Sequence, residues 1–596
     1  MALVLFQTRR VRERLKAPAS LGIDVLVLVV VICLAGALFS FGKEVAAKSQ
    51  REVHIDLHLR SLPLYTFFSL SRGFAAYFLS LAFTLVYGTV AAHNRRAEKI
   101  MVPVLDVLQS IPVLSFCPVL IVAMVHLFPG RELGLEVACV LQIFTAQVWN
   151  MTFSYYSSVR NIPNHLREVA AVNCLSRWQI FRLLELPASM IGLVWNSMMS
   201  MAGGWFFLTV NEALVLGNDN YSLPGLGSYM SVAIGSGNVR AEIGGVVAMI
   251  LMIVAVDQLF WRPIVAWSER FKVEETAETD KAQSWVLSLL QKSLFYQFLM
   301  RQMHHRKEPQ DAAAPAATPA PAAVAAPDPK QASSPNRWLE FFSDPRFIQS
   351  VNWAIVAFLA FAALWGGVNL VRLLLTVGPH DWQTIVLALV ASFLRTTTAV
   401  LLGGLWTLPV GILIGLSARW SQRLQPIVQV LASFPAPMLF PFAVAILAFF
   451  HIPFSIGCIS LMLLGTQWYV LFNVIAGSMA IPTELKEVGT VYHTPRWQLW
   501  KRIYIPGVFP YLVTGLITAA GGAWNATIVS EYFQPIKGAG KSTFGLGTLI
   551  ARASANGDNA ILAASTVTMA VAVVFINRFM WKRLYRLAER RYSLNV

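Results

Sequence analysis

The chain has 596 residues, 56% hydrophobic and only 13% charged, with a formal net charge of +16. A soluble domain carries about 25% charged residues. The shortfall, a mean hydropathy of +0.58 and long apolar runs exclude a soluble enzyme, a nucleic-acid-binding domain and a disulfide-stapled secreted scaffold. The basic excess fits the positive-inside rule for membrane proteins. Cys33, Cys117, Cys139, Cys174 and Cys458 lack metal or disulfide spacing.

Along the chain, Arg9, Arg10, Arg12, Arg14 and Lys16 precede an apolar run over 23–41. That run exceeds the roughly 7–15 residues of a signal-peptide core, so it reads as a first span with a cytoplasmic N-terminus. An outer segment over 43–72 follows, in which 54–60 alternates apolar and polar residues as a short extended stretch does. Further spans are expected near 74–92, 103–128, 133–153, 186–216 and 242–263. Between 272 and 345 lies a connector: an amphipathic helix carrying Trp285, Leu289, Leu290, Leu294, Phe298 and Leu299, then the Ala/Pro-rich tether 312–326. Six more spans are expected near 350–376, 388–416, 426–450, 453–477, 505–532 and 560–580.

The second set of spans copies the first. A shift of 323 residues aligns Pro103, Pro112 and Pro118 with Pro426, Pro435 and Pro441, and Arg72 with Arg395. A shift of 319 aligns Trp149, Glu168, Arg177, Trp205 and Glu212 with Trp468, Glu487, Arg496, Trp524 and Glu531. Nearly equal offsets over so long a stretch indicate two copies of one domain, with length changes confined to loops. Six spans return the chain to its starting side, so the copies have the same orientation and form parallel repeats. The expected fold is an all-α membrane protein of twelve transmembrane helices as two parallel six-helix repeats, divided into 1–271, connector 272–345 and 346–596, with both termini cytoplasmic.

Several side chains invite chemistry. Ile536–Thr543 superficially resembles a Walker A loop, but Pro535 occupies the position of its first glycine and no strand–loop–helix context surrounds it. Glu212 and Glu531 lie 25 residues beyond the span-opening Pro187 and Pro506, about 37 Å along a helix, and so near the outer rim. There each reads as a salt bridge at the mouth, a gate hinge or a binding group. Trp205 and Trp524, two turns earlier on the same face, either line a translocation path or pack between helices. Ser110 and Ser433 stand before the aligned prolines as further path candidates. Arg72 and Arg395 either attract an anionic solute or snorkel to the interface. Asp106 and Asp257 meet Gln429 and Asn577 in the other copy, so neither role is duplicated. No cluster has metal-binding spacing.

The best-matched stretches are 162–187 and 481–506, each opening with Pro, carrying a Glu and an Arg-Trp-Gln, and closing with Pro. They resemble the EAA loop of binding-protein-dependent ABC importer permeases, whose pattern is Glu-Ala-Ala-x-x-x-Gly followed by a downstream Ile/Leu-Pro. The Ser-Arg-Trp-Gln variant within Leu175–Phe181, the Trp–Glu pair in span five and the following Gly-Leu-Gly resemble the nitrate/sulfonate/taurine/bicarbonate branch in its fused, double-permease form. That resemblance implies the type I importer fold in a cell inner membrane and a coupling helix in each copy. The ATPase-coupling role would fall on Glu168, Ala170, Cys174, Arg177 and Trp178, and on Glu487, Gly489, His493, Arg496 and Trp497. It further implies two separate ATPase subunits carrying ATP and Mg, with no cofactor on this chain and no catalytic residues of its own. A periplasmic solute-binding protein and a small anionic solute complete the implied set. Two departures stand out: Val169 or Val488 replaces the first Ala, and Cys174 or His493 replaces the loop Gly. The rival reading is an ion-coupled secondary transporter built from duplicated bundles, which requires a buried titratable residue at mid-membrane.

Overall fold

The computed structural model describes residues 40, 42, 55–110, 112–129, 131–216, 219–271, 361, 364–482, 485, 491–533 and 541–592. The expected first span, the connector with its amphipathic helix, and much of 350–376 lie outside these residues. Residues 26–288 and 379–596 form one compact unit that contains the matched spans two to six of both repeats; 1–25 and 289–378, with the expected span 350–376, form another, described only by the Leu364–Leu375 helix and its edges.

In the first repeat an extended entry over 55–58 gives way to α1 (Leu62–His93). The entry is pinned by Asp56, whose carboxylate accepts from the side chain and backbone of His58 and from Ser61 Oγ at 2.8 Å. These hydrogen bonds, the His58 side chain's foremost, hold its carboxyl down at about 2. Next come α2 (Arg95–Ser110), α3 (Val113–Leu127), α4 (Leu133–Arg160) and the short α5 (Asn164–Val172). A single turn at Arg177–Ile180 and a π-helical turn at Phe181–Glu185 lead into α6 (Leu186–Glu212). An antiparallel hairpin, β1 (Ala213–Leu216) with β2 (Asp219–Ser222), pairs Ala213 with Ser222 and Leu216 with Asp219. After it run α7 (Leu226–Ser236) and α8 (Val239–Val256), which ends in a second π turn at Asp257–Trp261.

The second repeat repeats this order: α9 (Pro379–Leu416), α10 (Ala418–Ser433), α11 (Phe440–Phe449) and α12 (Phe454–Met479). A π turn at Trp500–Tyr504 opens α13 (Ile505–Ser530), and the hairpin β3 (Tyr532–Phe533) with β4 (Lys541–Ser542) follows it. The chain continues through α14 (Leu546–Asn556), α15 (Asn559–Ile576) and a π turn at Asn577–Trp581. Even the irregular turns are therefore duplicated. Both short helices α7 and α14 stop at a left-handed glycine, Gly237 (φ 64°) and Gly557 (φ 70°), which closes the helix without a Cβ clash.

Two expected spans need correction. The third span of each repeat is a broken pair, and in the second repeat the two halves, Ile427–Ser433 and Ala436–Phe449, bend by 88°. Pro435 causes the bend: it lacks an N–H and holds Phe434 in the extended region at ψ 128°, and the aligned Pro112 stands between α2 and α3. The second span also starts earlier than hydropathy suggests, at Leu62 and Pro379, so residues 62–72 of the 43–72 segment are helix with a counterpart in the other repeat. Polar residues in this part, Ser69 and Arg72 among them, are buried against other helices and so depress the hydropathy without facing water. Among the described residues six helices are long and apolar enough to cross a membrane, or seven if the bent pair is one span. Helices α4 and α6 are comparably long but carry Gln142, Gln147, Asn211 and Glu212 inside the protein.

Small residues let the long helices approach. A Cβ on Gly88 would meet the Tyr155 ring at 2.5 Å, and one on the aligned Gly411 would meet Val474 at 2.6 Å. The repeats join where the Val113 N–H donates to Asn525 Oδ1 at 2.7 Å and Thr566 Oγ1 donates to the Ser115 carbonyl at 3.3 Å. At Gly415 an added Cβ would lie 2.7 Å from the Ile475 carbonyl oxygen, which is backbone and cannot yield cheaply. Gly415→Ala is expected to destabilise the protein by about 1–3 kcal/mol. Gly521→Ala, with open space around it, leaves the thermal midpoint in detergent unchanged; equal midpoints for the two variants would refute this packing.

Candidate functional site

The most concentrated polar chemistry lies where α6 ends and α7 begins. Glu212, the last residue of α6, is fully buried and accepts from Arg72 Nη1 at 2.8 Å, Ser69 Oγ at 2.7 Å and the Gly227 N–H at 2.7 Å. Ser69 Oγ in turn accepts from the Leu226 N–H at 2.9 Å. The carboxylate and its serine thus satisfy two free N–H groups of the first turn of α7, where the helix dipole also favours negative charge. This arrangement explains the Gly-Leu-Gly: a Cβ at Gly225 would sit 2.4 Å from the Glu212 carboxylate, and one at Gly227 the same distance from the Thr209 carbonyl oxygen.

The second repeat builds the same cluster. Glu531 accepts from Ser392 Oγ at 2.8 Å, Arg395 Nη1 at 3.1 Å and the Gly547 N–H at 3.0 Å, while the Leu546 N–H donates to Ser392 Oγ. One link differs. Arg72 also forms a bidentate pair with Glu136, at 2.7 and 2.6 Å, where the second repeat has Ser455. Arg395 instead donates to Thr543 Oγ1 at 3.1 Å. The Arg72 side chain is 0% exposed and that of Arg395 14%. Neither arginine snorkels, because each is held by an internal carboxylate.

A cavity of about 190 Å³ lies between the repeats. Trp149 and Asn150 from α4, Ser200 and Gly203 from α6, Tyr469 from α12 and Asn525 from α13 form part of its wall. Among the described residues no Asp, Glu, Lys, Arg or His lines it. Among the residues singled out as path candidates, Trp524 borders this cavity. Trp205 and Ser433 border a crevice of about 10 Å³, and Trp205 packs its ring against Gly73. Ser110 closes α2. Arg72, Glu212, Arg395 and Glu531 belong to the helix-end clusters and not to the cavity wall.

At the opposite end of α6 lie the EAA-like segments. In the first repeat α5 ends in a full Schellman motif: the Leu175 N–H donates to the Ala170 carbonyl at 3.1 Å and the Cys174 N–H to that of Ala171 at 3.0 Å. Cys174 is left-handed at φ 49°, and His493 at φ 48°. The turn expected of a glycine therefore forms with Cys and His in its place. A capping box between Ser176 and Gln179 starts the next turn. Ala170 is buried, whereas Glu168 and Arg177 are exposed. Trp178 and Trp497 are 67% and 63% exposed, and Arg496 is exposed as well. Glu487 and Gly489 lie outside the described residues. In the Walker-like stretch, Lys541 and Ser542 stand in β4 and α14 starts at Leu546, while 536–540 lie outside the described residues.

Residues 84–260 and 407–594, more than half of the chain, match the family described as binding-protein-dependent transport system inner membrane component. The chain belongs to that family. It carries the permease domain twice, as the repeat predicted, and the family is one of transport permeases, not enzymes. The nitrate import permease protein of Leptolyngbya laminosa is 28% identical over 150 residues, which are 25% of this chain and 50% of the relative. The bicarbonate transport system permease protein of Synechococcus elongatus is 29% identical over 153 residues, 25% of this chain and 51% of the relative. The taurine transport system permease protein of Escherichia coli is 27% identical over 227 residues, 37% and 76% of the two chains. The chain spans about half the length of the nitrate and bicarbonate permeases it matches.

Sequence reasoning paired Arg72 with Arg395 and Glu212 with Glu531 without joining the arginines to the glutamates. The usable signal was the duplicated spacing from Glu to Gly-Leu-Gly, which brings a carboxylate to a helix start. Two predictions follow the geometry of this permease. Arg72→Gln strands two buried carboxylates and costs about 3–5 kcal/mol; Arg395→Gln, with one carboxylate and partial exposure, costs clearly less by thermal unfolding. Cys174→Gly relieves the left-handed strain by up to about 1 kcal/mol, read as increased hydrogen-exchange protection of the Leu175 amide; unchanged or reduced protection would contradict it.

Proposed function

We propose that this permease is the membrane subunit of an ATP-driven importer, carrying both permease repeats in one chain and moving a small anion by alternating access. The observation that carries the reading is the matched pair of EAA-like segments. Each projects a mostly exposed stretch with an uncovered tryptophan and a left-handed turn, as two equivalent partners would require. ATP and Mg reside on two partner ATPase subunits, which dock at Glu168–Trp178 and Glu487–Trp497. Their closure on ATP moves the two segments together and rocks the repeats about the central cavity. The π turns entering α6 and α13 support this role, since such turns recur at functional positions.

The protein lies in the inner membrane with both termini cytoplasmic, 272–345 serving as the cytoplasmic connector between 1–271 and 346–596, and a periplasmic binding protein delivers the solute. The names of the relatives, nitrate, bicarbonate and taurine permeases, support a small anion as cargo. No observation favours the ion-coupled secondary transporter, which needs an acidic or basic side chain on the path, and among the described residues the cavity wall carries no Asp, Glu, Lys, Arg or His.

The test is to purify the chain from its native membrane and measure subunit masses for wild type and for Glu168→Arg/Glu487→Arg. The expected result is an ATPase at two copies per chain, lost in the double variant. A wild-type chain that purifies alone and moves solute in ATP-free vesicles would overturn the proposal.

A further inference from the structure

We infer that the central cavity is a binding site for a singly charged oxoanion, nitrate- or bicarbonate-like, held by neutral hydrogen-bond donors alone. The inference rests on the importer reading and narrows its cargo.

The wall offers donors that nothing else uses. Ser200 is 2% exposed and its hydroxyl has no partner among the described residues, although it borders the cavity. A buried hydroxyl is ordinarily satisfied, so a partner is expected from the cavity side. Asn525 is fixed in orientation, because its Oδ1 must accept the Val113 N–H at 2.7 Å. Its amide nitrogen donates to the Gly521 carbonyl at 3.2 Å, which leaves one further N–H. The Tyr469 ring sits between two glycines: a Cβ on Gly203 would lie 3.4 Å from its hydroxyl, and one on Gly522 lies 3.2 Å from its ring edge. The Trp149 indole N–H adds a donor with no acceptor capacity. The threonines on the same wall are already committed, Thr145 to the Gln142 carbonyl at 2.8 Å and Thr466 to that of Met462 at 2.9 Å. With the Asn150 amide on the same wall, the unspent groups hold more N–H and O–H donors than acceptor oxygens, which suits a negative ligand.

The missing charges define the ligand further. With no Lys or Arg among the described residues of the wall, a bound anion is held by dipoles, and the Born cost of desolvating a divalent ion is about four times that of a monovalent one. Sulfate is therefore disfavoured. Without Asp or Glu on the wall, the ammonium of an aminosulfonate has no counter-charge. A monovalent oxoanion small enough for about 190 Å³ remains. A site of this kind releases its ion readily, because no buried ion pair has to be broken.

The test is calorimetric titration of the full chain in lipid nanodiscs with nitrate, bicarbonate, sulfate and taurine. Saturable binding of nitrate or bicarbonate is expected, with sulfate and taurine at least about tenfold weaker. Ser200→Ala and Tyr469→Phe each delete one hydroxyl at nearly constant shape and should weaken that binding about tenfold, whereas the outward-facing Val571→Ala leaves it unchanged. Equal or tighter binding of sulfate or taurine, hydroxyl variants with unaltered affinity, or no saturable signal from nitrate or bicarbonate would each overturn the donor site. None of these outcomes touches the importer reading, which stands or falls on recovery of the ATPase.

Discussion

A carboxylate at the end of a long apolar helix must be neutralised inside the protein, and the architecture of each repeat is arranged around that requirement. Glu212 and Glu531 stand at the ends of α6 and α13 and, in the same stroke, begin the next short helices by accepting their first free N–H groups. A serine and an arginine from α1 or α9 complete the solution. Three elements distant in sequence are thereby fixed at one point, and the glycines that follow are small because the carboxylate occupies the space where a side chain would stand. Breaking a buried pair of this type costs more than the pair contributes, because a lone charge remains in apolar surroundings.

The two repeats solve this problem with unequal redundancy. In the first, Arg72 is clamped between two carboxylates and sealed from solvent; in the second, a serine replaces one carboxylate and a threonine hydroxyl takes up the free guanidinium edge. The two-fold pattern of the backbone is therefore overlaid by a chemical asymmetry. The cavity shows the same departure from symmetry: Asn150 aligns with Tyr469 and Phe206 with Asn525, and all four line the wall. A small ion does not need a symmetric site, and a duplicated chain is free to specialise each wall.

Much of this was legible in the sequence, because a repeat doubles every signal. The copy number, the helix order and the EAA-like segments could all be read from aligned prolines, tryptophans and glutamates. What escaped was set by contacts between distant residues. Hydropathy placed the start of α1 too late because Arg72 and Ser69 look like solvent-facing groups until their partners are known. The break at Pro435 was absorbed into one apolar window, since hydropathy carries no direction and the chain stays apolar through an 88° bend. The cavity was not legible at all: Ser200, Tyr469 and Asn525 carry no motif, and only packing brings them to one wall.

The π turns at Phe181–Glu185 and Trp500–Tyr504 have a consequence for how the segments are aimed. A π turn holds one residue more than the α turn it replaces, and one residue corresponds to about 100° of rotation around a helix. The azimuth of Trp178 relative to α6, and of Trp497 relative to α13, is thus set by a single inserted residue in each repeat. Removing that residue would leave every helix intact and every side chain present. It would swing each exposed segment about a quarter-turn around the bundle, pointing two sound surfaces away from one another's common target.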